Sequence, residues 1–480
     1  MNKMFSLDEV VTAVKGSVIN RKGKTGGTIF VSAVSTDTRT IEEGNLYIAL
    51  KGESFDGHNF VDMAIDKGAC AIVVDRVSAV PEGSIGIVVK DTLVALGDLA
   101  RHYRFKLGCK VVGITGSVGK TTTREMIRTA LEPSFKVVST QKNLNNEIGM
   151  PLTILGAPRG TEVLVLEMGM RGRGQIDYLT KIACPDIACI TNVGYSHIGI
   201  LGSREEIRAA KTEIINGLTD YGVLLVSGDD SFLFDYVRNI IPLNNGLAAI
   251  SVNGNLEGSV MNCPLCISAS NIVEDDGMSF DVSVAIGGEV KLNHRNKIAL
   301  GGEHNVRNAC FALLCADLLG ADLQKAEEAI SAYTPMEGRG KTYHGKKYTI
   351  INDAYNASPE SMKAAFGNLN ITNPGSRKIC IVGGMLELGD EAAKLHEETG
   401  ISCGEYNFDV VIVTGDDQNA FIEGMNSKNS TSKIIKCKDT EEVRTKAIEI
   451  IEPGDTVLFK ASHSFGFEKL AKEFIDNDED

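Results

Sequence analysis

Two textures of apolar residues alternate along this chain. One is a short unbroken run, as in CKVVGIT (109–115), TEVLVLEMG (161–169) and PDIACITNV (185–193). The other spaces apolar residues at helical intervals, as in KTTTREMIRTAL (120–131), SREEIRAAKTEIING (203–217) and NVRNACFALLCADLLG (305–320). Unbroken runs predict strands buried on both faces, and the spaced pattern predicts helices. Their alternation predicts a parallel sheet with helices on both sides, an α/β fold. Ends are marked as well. Ser203 with Glu206 three residues on predicts a capping box, and Gly68 and Gly320 predict helix stops.

The pattern falls into three zones. Residues 1–108 begin with a helical stretch and continue as short, turn-rich α/β elements, with IEEGNLYIAL (41–50) as turn then strand and residues 92–106 as a helix. Residues 109–332 carry the alternation described above, and a glycine-rich, alternating region from about 245 to 300 predicts a β excursion. Residues 333–480 start a fresh series with the strands YTIIND, RKICIVGG, FDVVIVTG and DTVLFKAS, which predicts a second, Rossmann-like sheet. The acidic tail from Asp476 to Asp480 predicts a frayed, solvated end.

Composition narrows this picture. A length of 480 residues suggests about three domains at roughly 150 residues each. With 43% hydrophobic and 23% charged residues the chain builds cores, which excludes disorder as its main state. The balance of 49 basic against 63 acidic residues, a net charge of −14, makes it a poor general binder of nucleic acid, because such binding rests on lysine and arginine. Fifty glycines, eleven prolines and no tryptophan favour glycine-turned α/β layers. No apolar run approaches the ~18–20 residues of a membrane span. The opening MNKMFSLDEVVTAVKG carries acids within its amphipathic stretch, unlike a signal peptide, so a cytoplasmic protein is expected. Its eleven cysteines sit mostly in apolar settings and read as reduced core residues. Cys263 and Cys266 form a lone CxxC, a weak basis for zinc.

Chemistry enters between the first central strand and its helix. Gly113-Ile-Thr-Gly116-Ser117-Val118-Gly119-Lys120-Thr121 is a glycine-rich turn whose amides can close on phosphate oxygens. Lys120 would neutralise β- and γ-phosphates, and the Thr121 hydroxyl would ligate magnesium. The spacing departs from GxxxxGK[ST], since Ile114 stands five before Gly119 and Gly113 one further back. Glu167 ends a strand, where ligands gather in open parallel sheets, although alone such an acid is more often simply solvated. His197 follows a strand that also carries Asn192 and can reach the same edge; a lone loop histidine is usually bland. Lys211 reads as an ordinary helical lysine on a solvent face.

The strings TGSVGKTTT, NLNNEIGMPLT, VLEMGM, TNVGYSHI, RAAKTEI and GEHNVRNA, in this order, resemble the Mur ligase family, ATP-dependent amide-forming enzymes of peptidoglycan synthesis. The resemblance covers essentially the whole chain. STDTR and FDGHNF match the family's uridine-nucleotide-binding part, while NDAYNASPESM and GGMLELG are similar to the branch that joins D-alanyl-D-alanine to UDP-N-acetylmuramoyl-tripeptide. It implies three domains: 1–108 for the uridine nucleotide, 109–332 for ATP, and a Rossmann-like 333–480 for the dipeptide.

The resemblance implies residue roles too. Gly116, Ser117, Val118, Gly119, Lys120, Thr121 and Thr122 would bind ATP phosphates, with Asn305 and Asn308 at adenine and Arg339 and Asp353 reaching ATP from the carboxyl zone. Thr121 and Glu167 would hold magnesium, and His197 a second ion. Lys211 matches a lysine that is carbamylated in relatives, which would give it a carboxylate-like end for the metal site. Ser35, Asp37, Arg39, Asp56, Gly57, His58, Asn143 and Asn146 would handle the uridine-nucleotide peptide, and Tyr355, Asn356 and Ser361 the dipeptide. A monomer is expected. Bland alternatives stand beside these roles: Asn146 as a turn cap, Asp353 as an N-cap, Arg339 as a solvated linker residue, and Asp37 with Arg39 as a local ion pair. KASHSFGFE (460–468) departs from the KGSR string more usual in relatives, and His463 is given no catalytic role. A related amide ligase, a phosphate-loop regulatory ATPase and a non-catalytic scaffold remain as other readings.

Overall fold

A computed structural model describes residues 3–19, 29–252, 263–274, 277–287 and 289–479. Its amino-terminal elements are β1 (Phe5–Ser6), α1 (Leu7–Val14), β2 (Ser17–Ile19), β3 (Phe30–Val31), β4 (Val34–Ser35), β5 (Leu46–Ile48), α2 (Val61–Asp66), β6 (Ala71–Val74), β7 (Gly86–Val88) and α3 (Thr92–Leu107). β1 pairs with β3, and the others form a sheet in the order β2-β7-β6-β5-β4. Only β2 runs antiparallel in it.

α3 ties this body to the next. Asp91 caps it by accepting the amides of Leu93 and Val94, and left-handed Gly108 ends it. The helix packs so closely that a Cβ on Gly97 would lie 2.4 Å from the Tyr178 hydroxyl. Tyr103 and Arg104 complete the joint, donating to the Ala157 and Ala183 carbonyls at 2.9 Å each.

The central body contains β8 (Lys110–Thr115), α4 (Lys120–Leu131), β9 (Val137–Ser139), α5 (Gly149–Leu155), β10 (Val163–Glu167), α6 (Gln175–Ala183), β11 (Ile187–Ile190), α7 (Ile198–Leu201), α8 (Arg204–Thr212), β12 (Val223–Ser227), α9 (Ser231–Ile240), β13 (Gly246–Val252), β14 (Leu265–Glu274), β15 (Met278–Ile286), β16 (Glu289–Ile298), α10 (Glu303–Leu319) and α11 (Leu323–Ser331). Its sheet runs β16-β15-β14-β13-β12-β11-β8-β10-β9. The expected β excursion is the antiparallel run β14–β16, and its residues 253–262, 275–276 and 288 lie outside the described ones.

The unbroken apolar runs now have a cause. Val112, Ile114, Val163 and Val165 face a core shared with Met126, Phe311 and Leu314, on the α4 and α10 side. Their neighbours Val111, Leu164 and Leu166 face the opposite core with Leu96, Leu99 and Ile176. Each fully buried aliphatic side chain contributes ~1.5–3 kcal/mol. β10 and β11 lie on either side of β8, so the chain changes direction there, the place where open parallel sheets gather ligands at their strands' carboxyl ends.

The carboxyl body contains β17 (Lys341–His344), β18 (Thr349–Asn352), α12 (Pro359–Ile371), β19 (Lys378–Val382), α13 (Ala392–Gly404), β20 (Val410–Thr414), α14 (Gln418–Ser427), β21 (Lys433–Cys437), α15 (Thr440–Ile450), β22 (Thr456–Lys460) and α16 (Phe467–Glu479). Its sheet order is β17-β18-β22-β19-β20-β21, with β17 alone antiparallel. Among the described residues no helix is long and apolar enough to cross a membrane. None of the eleven cysteines is in a disulfide.

Two expectations need correction. The acidic tail is not frayed: it is the last turn of α16, and buried Asp478 accepts the Lys347 amide at 2.6 Å, which pins the helix to the β17–β18 turn. Asp480 lies outside the described residues. The capping box at α8 is half formed. Ser203 accepts the Glu206 amide, but the Glu206 carboxylate turns to Arg173, 3.4 Å away.

Candidate active site

The turn from β8 into α4 is built by its glycines. Gly116 has φ +154°, and a Cβ there would sit 1.9 Å from the Thr191 hydroxyl oxygen. Gly119 has φ +80° and lies against the Asn308 side chain. The first turn of α4 leaves the amides of Lys120, Thr121 and Thr122 without an intrahelical acceptor, which makes an anion site. The Ser117 and Val118 amides donate to the Asn192 side-chain oxygen at 3.2 and 3.0 Å. Lys120 folds over the loop and donates to the Gly116 and Ser117 carbonyls at 2.8 and 3.2 Å. Burial pushes its ammonium below the usual lysine range, with Glu167 opposing and Arg339 adding to the push.

Glu167 is the buried centre of the site. Its Oε2 accepts from the Thr121 hydroxyl at 3.1 Å and from Arg124 at 3.2 Å, and its Oε1 accepts from Asn145 at 2.8 Å. The sequence reading missed Arg124 and Asn145. Arg124 is fully buried and continues to Glu125, a pairing that only a shared interior makes necessary. Thr121 and Glu167 offer hard oxygens from adjacent elements. That suits magnesium, which takes one or two protein oxygens and completes its shell with water and phosphate.

The segment after β11 crosses in front of the loop. The Gly194 amide donates to the Ser117 hydroxyl at 2.9 Å. His197 adopts φ +67°, and its Nδ1 lies 2.5 Å from the Glu387 carboxylate of the carboxyl body. Burial lowers the His197 pKa, with Glu387 opposing. Lys211 is not on a solvent face. It is 1% exposed. Burial holds its ammonium well below the lysine range; Lys120 pushes the same way and Glu360 opposes.

Asn305 and Asn308 open α10. The Asn308 amide nitrogen donates to the Asn305 oxygen at 3.2 Å, and the Asn308 oxygen accepts from Thr123 at 3.0 Å, so both flank the phosphate-loop helix. Arg339 is not a solvated linker residue. It donates to the Thr121 hydroxyl at 3.2 Å and stacks over the Tyr355 ring at 3.6 Å. Asp353 is not an N-cap; Ser358 caps α12, and Asp353 pairs with buried Lys460 at 2.9 Å. Ser361 completes that cap by accepting the Ser358 amide on its hydroxyl at 2.9 Å, while Asn356 is exposed with its carbonyl on Lys460. A cavity of about 280 Å³ opens nearby at the ends of β19, β20 and β21, bounded by Leu386, Thr414, Asp416, Asp417 and Phe465.

The remaining candidates lie on the amino-terminal body and, for Asn143 and Asn146, on the central one. Arg39 and Asp37 form an exposed ion pair at 2.6 Å, which holds the Asp37 carboxyl at about 2 through the Arg39 hydrogen bond. Ser35 donates to the Asp37 carbonyl at 3.0 Å. His58 is buried; its Nε2 accepts the Asp75 amide at 3.0 Å, so its Nδ1 carries the proton toward Asp56 at 2.6 Å. Gly57 has no room for a Cβ, which would lie 2.7 Å from the Leu50 carbonyl oxygen. Asn143 is exposed, and Asn146 accepts the Gly149 amide at 2.8 Å as a turn cap.

Comparison with known proteins agrees with this geometry. Residues 30–104 match the model for the Mur ligase family catalytic domain, 114–316 the Mur ligase middle domain, and 338–463 the Mur ligase glutamate ligase domain. The UDP-N-acetylmuramoyl-tripeptide–D-alanyl-D-alanine ligase of Bacillus subtilis is 36% identical over 98% of each chain. The crystal structure of MurF from Acinetobacter baumannii is 28% identical, with TM-score 0.86 over 98% of this chain and 99% of that one. MurF from Thermotoga maritima, solved with ADP, is 29% identical, with TM-score 0.78 over 93% of this chain and 98% of that one. A relative this similar over nearly the full length, and three family models matched in order, leave one conclusion: the chain belongs to the Mur ligase family.

Proposed function

We propose that this chain joins D-alanyl-D-alanine to UDP-N-acetylmuramoyl-tripeptide at the expense of ATP, releasing ADP and phosphate. The observation that carries this is the Thr121–Glu167 pair at the phosphate loop, completed by Arg339 from the approach to the carboxyl body. The tripeptide's terminal carboxylate attacks the γ-phosphorus and ADP leaves, forming an acyl phosphate. The dipeptide amine then attacks the acyl carbon, loses a proton, and phosphate departs. Such transfer needs positioning and charge neutralisation more than covalent chemistry by the protein. Lys120 and the first amides of α4 hold the ATP phosphates, with Asn305 and Asn308 toward the base. Thr121 and Glu167 would hold magnesium, with His197 at a second ion; bound there, the metal neutralises charge building on the phosphates. Lys211 is buried with its proton affinity lowered by burial, which favours the neutral amine that adds to CO₂ and so suits carbamylation.

The three bodies take one substrate each in this reading. The amino-terminal body, about 1–108, receives the uridine nucleotide through Ser35, Asp37, Arg39 and the 56–58 turn, with Asn143 and Asn146 at its peptide. The central body, 109–332, takes ATP. The carboxyl body, 333–480, takes the dipeptide near Tyr355, Asn356 and Ser361. The test is phosphate release from ATP. It should require both tripeptide and dipeptide, with one phosphate per amide formed. Equal release without either substrate would sink the reading.

A further inference from the structure

Residues 194–199 are held from two sides, by two different bodies. On the central side, the Gly194 amide donates to the Ser117 hydroxyl at 2.9 Å, and the Ser196 hydroxyl donates to the Ser117 carbonyl at 3.4 Å. Arg204 steadies the base of the segment, donating to the Val193 carbonyl at 2.8 Å. On the other side every partner comes from the carboxyl body. The Tyr195 amide donates to Glu360 at 3.0 Å, His197 meets Glu387 at 2.5 Å, and the Gly199 amide donates to the Glu387 carbonyl at 3.0 Å.

The fit between the bodies here is backbone against backbone. A Cβ on Gly199 would lie 2.4 Å from the Gly389 nitrogen and 2.9 Å from the Glu387 carbonyl oxygen. A Cβ on Gly389 would lie 2.6 Å from the Gly199 Cα. No flexible side chain is available to yield at either place. Glu387 itself takes φ +62°, unusual for a residue with a Cβ, and this conformation presents both its carbonyl and its carboxylate to the segment. Glu360 leans in similarly: its Oε1 would be 2.2 Å from a Cβ on Gly194, and its Oε2 is buried with no partner. A buried carboxylate oxygen left unpaired is costly, so its placement wants an explanation beyond local stability.

We propose that Glu387 and Glu360 are positioning residues that seat the 194–199 segment, and through it Ser117 of the phosphate loop, with the Gly199–Gly389 contact setting how closely the carboxyl body docks. The proposal rests on the ligase reading. It gives the enzyme a direct connection between docking of the dipeptide-binding body and the geometry of the phosphate loop. The arrangement at the loop is then complete only when the third body is in place.

Gly199→Ala in the full chain tests this. The three atoms nearest its new methyl all belong to the carboxyl body, so the strain falls first on the contact between the bodies. Displacing a reacting group by about 1 Å costs on the order of 10²-fold in rate. The ligation kcat should fall by about that factor, while the ADP dissociation constant, read with a fluorescent nucleotide, stays within about twofold. Glu387→Gln, which keeps an acceptor oxygen and the backbone carbonyl, should retain more activity than Glu387→Ala. Wild-type kcat in Gly199→Ala overturns the proposal, and so does loss of ADP binding in step with kcat, which would make the segment part of the nucleotide site alone. Wild type assayed alongside separates the two readings: no ligation by wild type sinks the ligase reading, whereas equal ligation by wild type and Gly199→Ala sinks only this one.

Discussion

The phosphate loop at 116–121 and the segment at 194–199 lie against each other, yet they are built on opposite principles. The loop is local. Its glycines, its lysine and the helix behind them are contiguous in sequence, and Lys120 folds back on the loop's own carbonyls, although Glu167, Thr191, Asn192, Gly194, Ser196 and Arg339 also bond to it. The segment is relational. The string TNVGYSHI helps to carry the family resemblance, yet nothing in it announces Glu360 and Glu387, more than 160 residues further on, which hold the segment from the other side. Chemistry that needs only amides and a charge can be encoded in one stretch of chain. Chemistry that must wait for a second body is encoded in the contact between bodies.

Substitutions sharpen this contrast in order of expected size. Lys120→Ala removes the charge aimed at the transferring phosphate and should lower kcat on the order of 10³-fold with the fold intact by circular dichroism. A loss of only a few fold would put the loop's chemistry elsewhere. Lys211→Ala should cost about 10²-fold. Short carboxylic acids should restore part of that rate by occupying the carbamate's place; full activity without them would remove the carbamate from the mechanism. Lys211 also carries a pH signature. Its folded-state proton affinity is depressed, so between that lowered value and the ordinary lysine range the unfolded chain holds more protons, and stability rises with pH. Lys211→Met should flatten that slope in urea unfolding midpoints measured across the alkaline range. The smallest effect belongs to Ser203→Ala, which removes the cap of the helix bearing Lys211 and should cost ~1 kcal/mol of stability while leaving nucleotide affinity unchanged.

The same contrast explains what was legible in the sequence. The α/β architecture was, because unbroken runs such as VLVLE must be covered on both faces, and the two cores on either side of β10 do this. Helix ends at Gly68 and Gly320 were marked by residues suited to left-handed backbone, although α2 itself stops two residues before Gly68. Side-chain destinations were not. Glu206 was free to complete its capping box but found Arg173 across the fold. Asp478 sits in a run of acids that reads as solvated, and only the returning β17–β18 turn explains its burial. Arg124 carries a charge into the interior because Glu125 and Glu167 meet it there, and neither spacing nor composition announces that meeting. Lys211 became informative through family resemblance, and its burial then supplied a physical reason.

The central claim is that this chain forms an amide bond between two defined substrates. Mass spectrometry of the products from UDP-N-acetylmuramoyl-tripeptide, D-alanyl-D-alanine, ATP and magnesium tests it most directly. A single new species is expected, with the mass of the two substrates less one water, appearing in step with ADP. ATP consumed while the tripeptide keeps its original mass would contradict it.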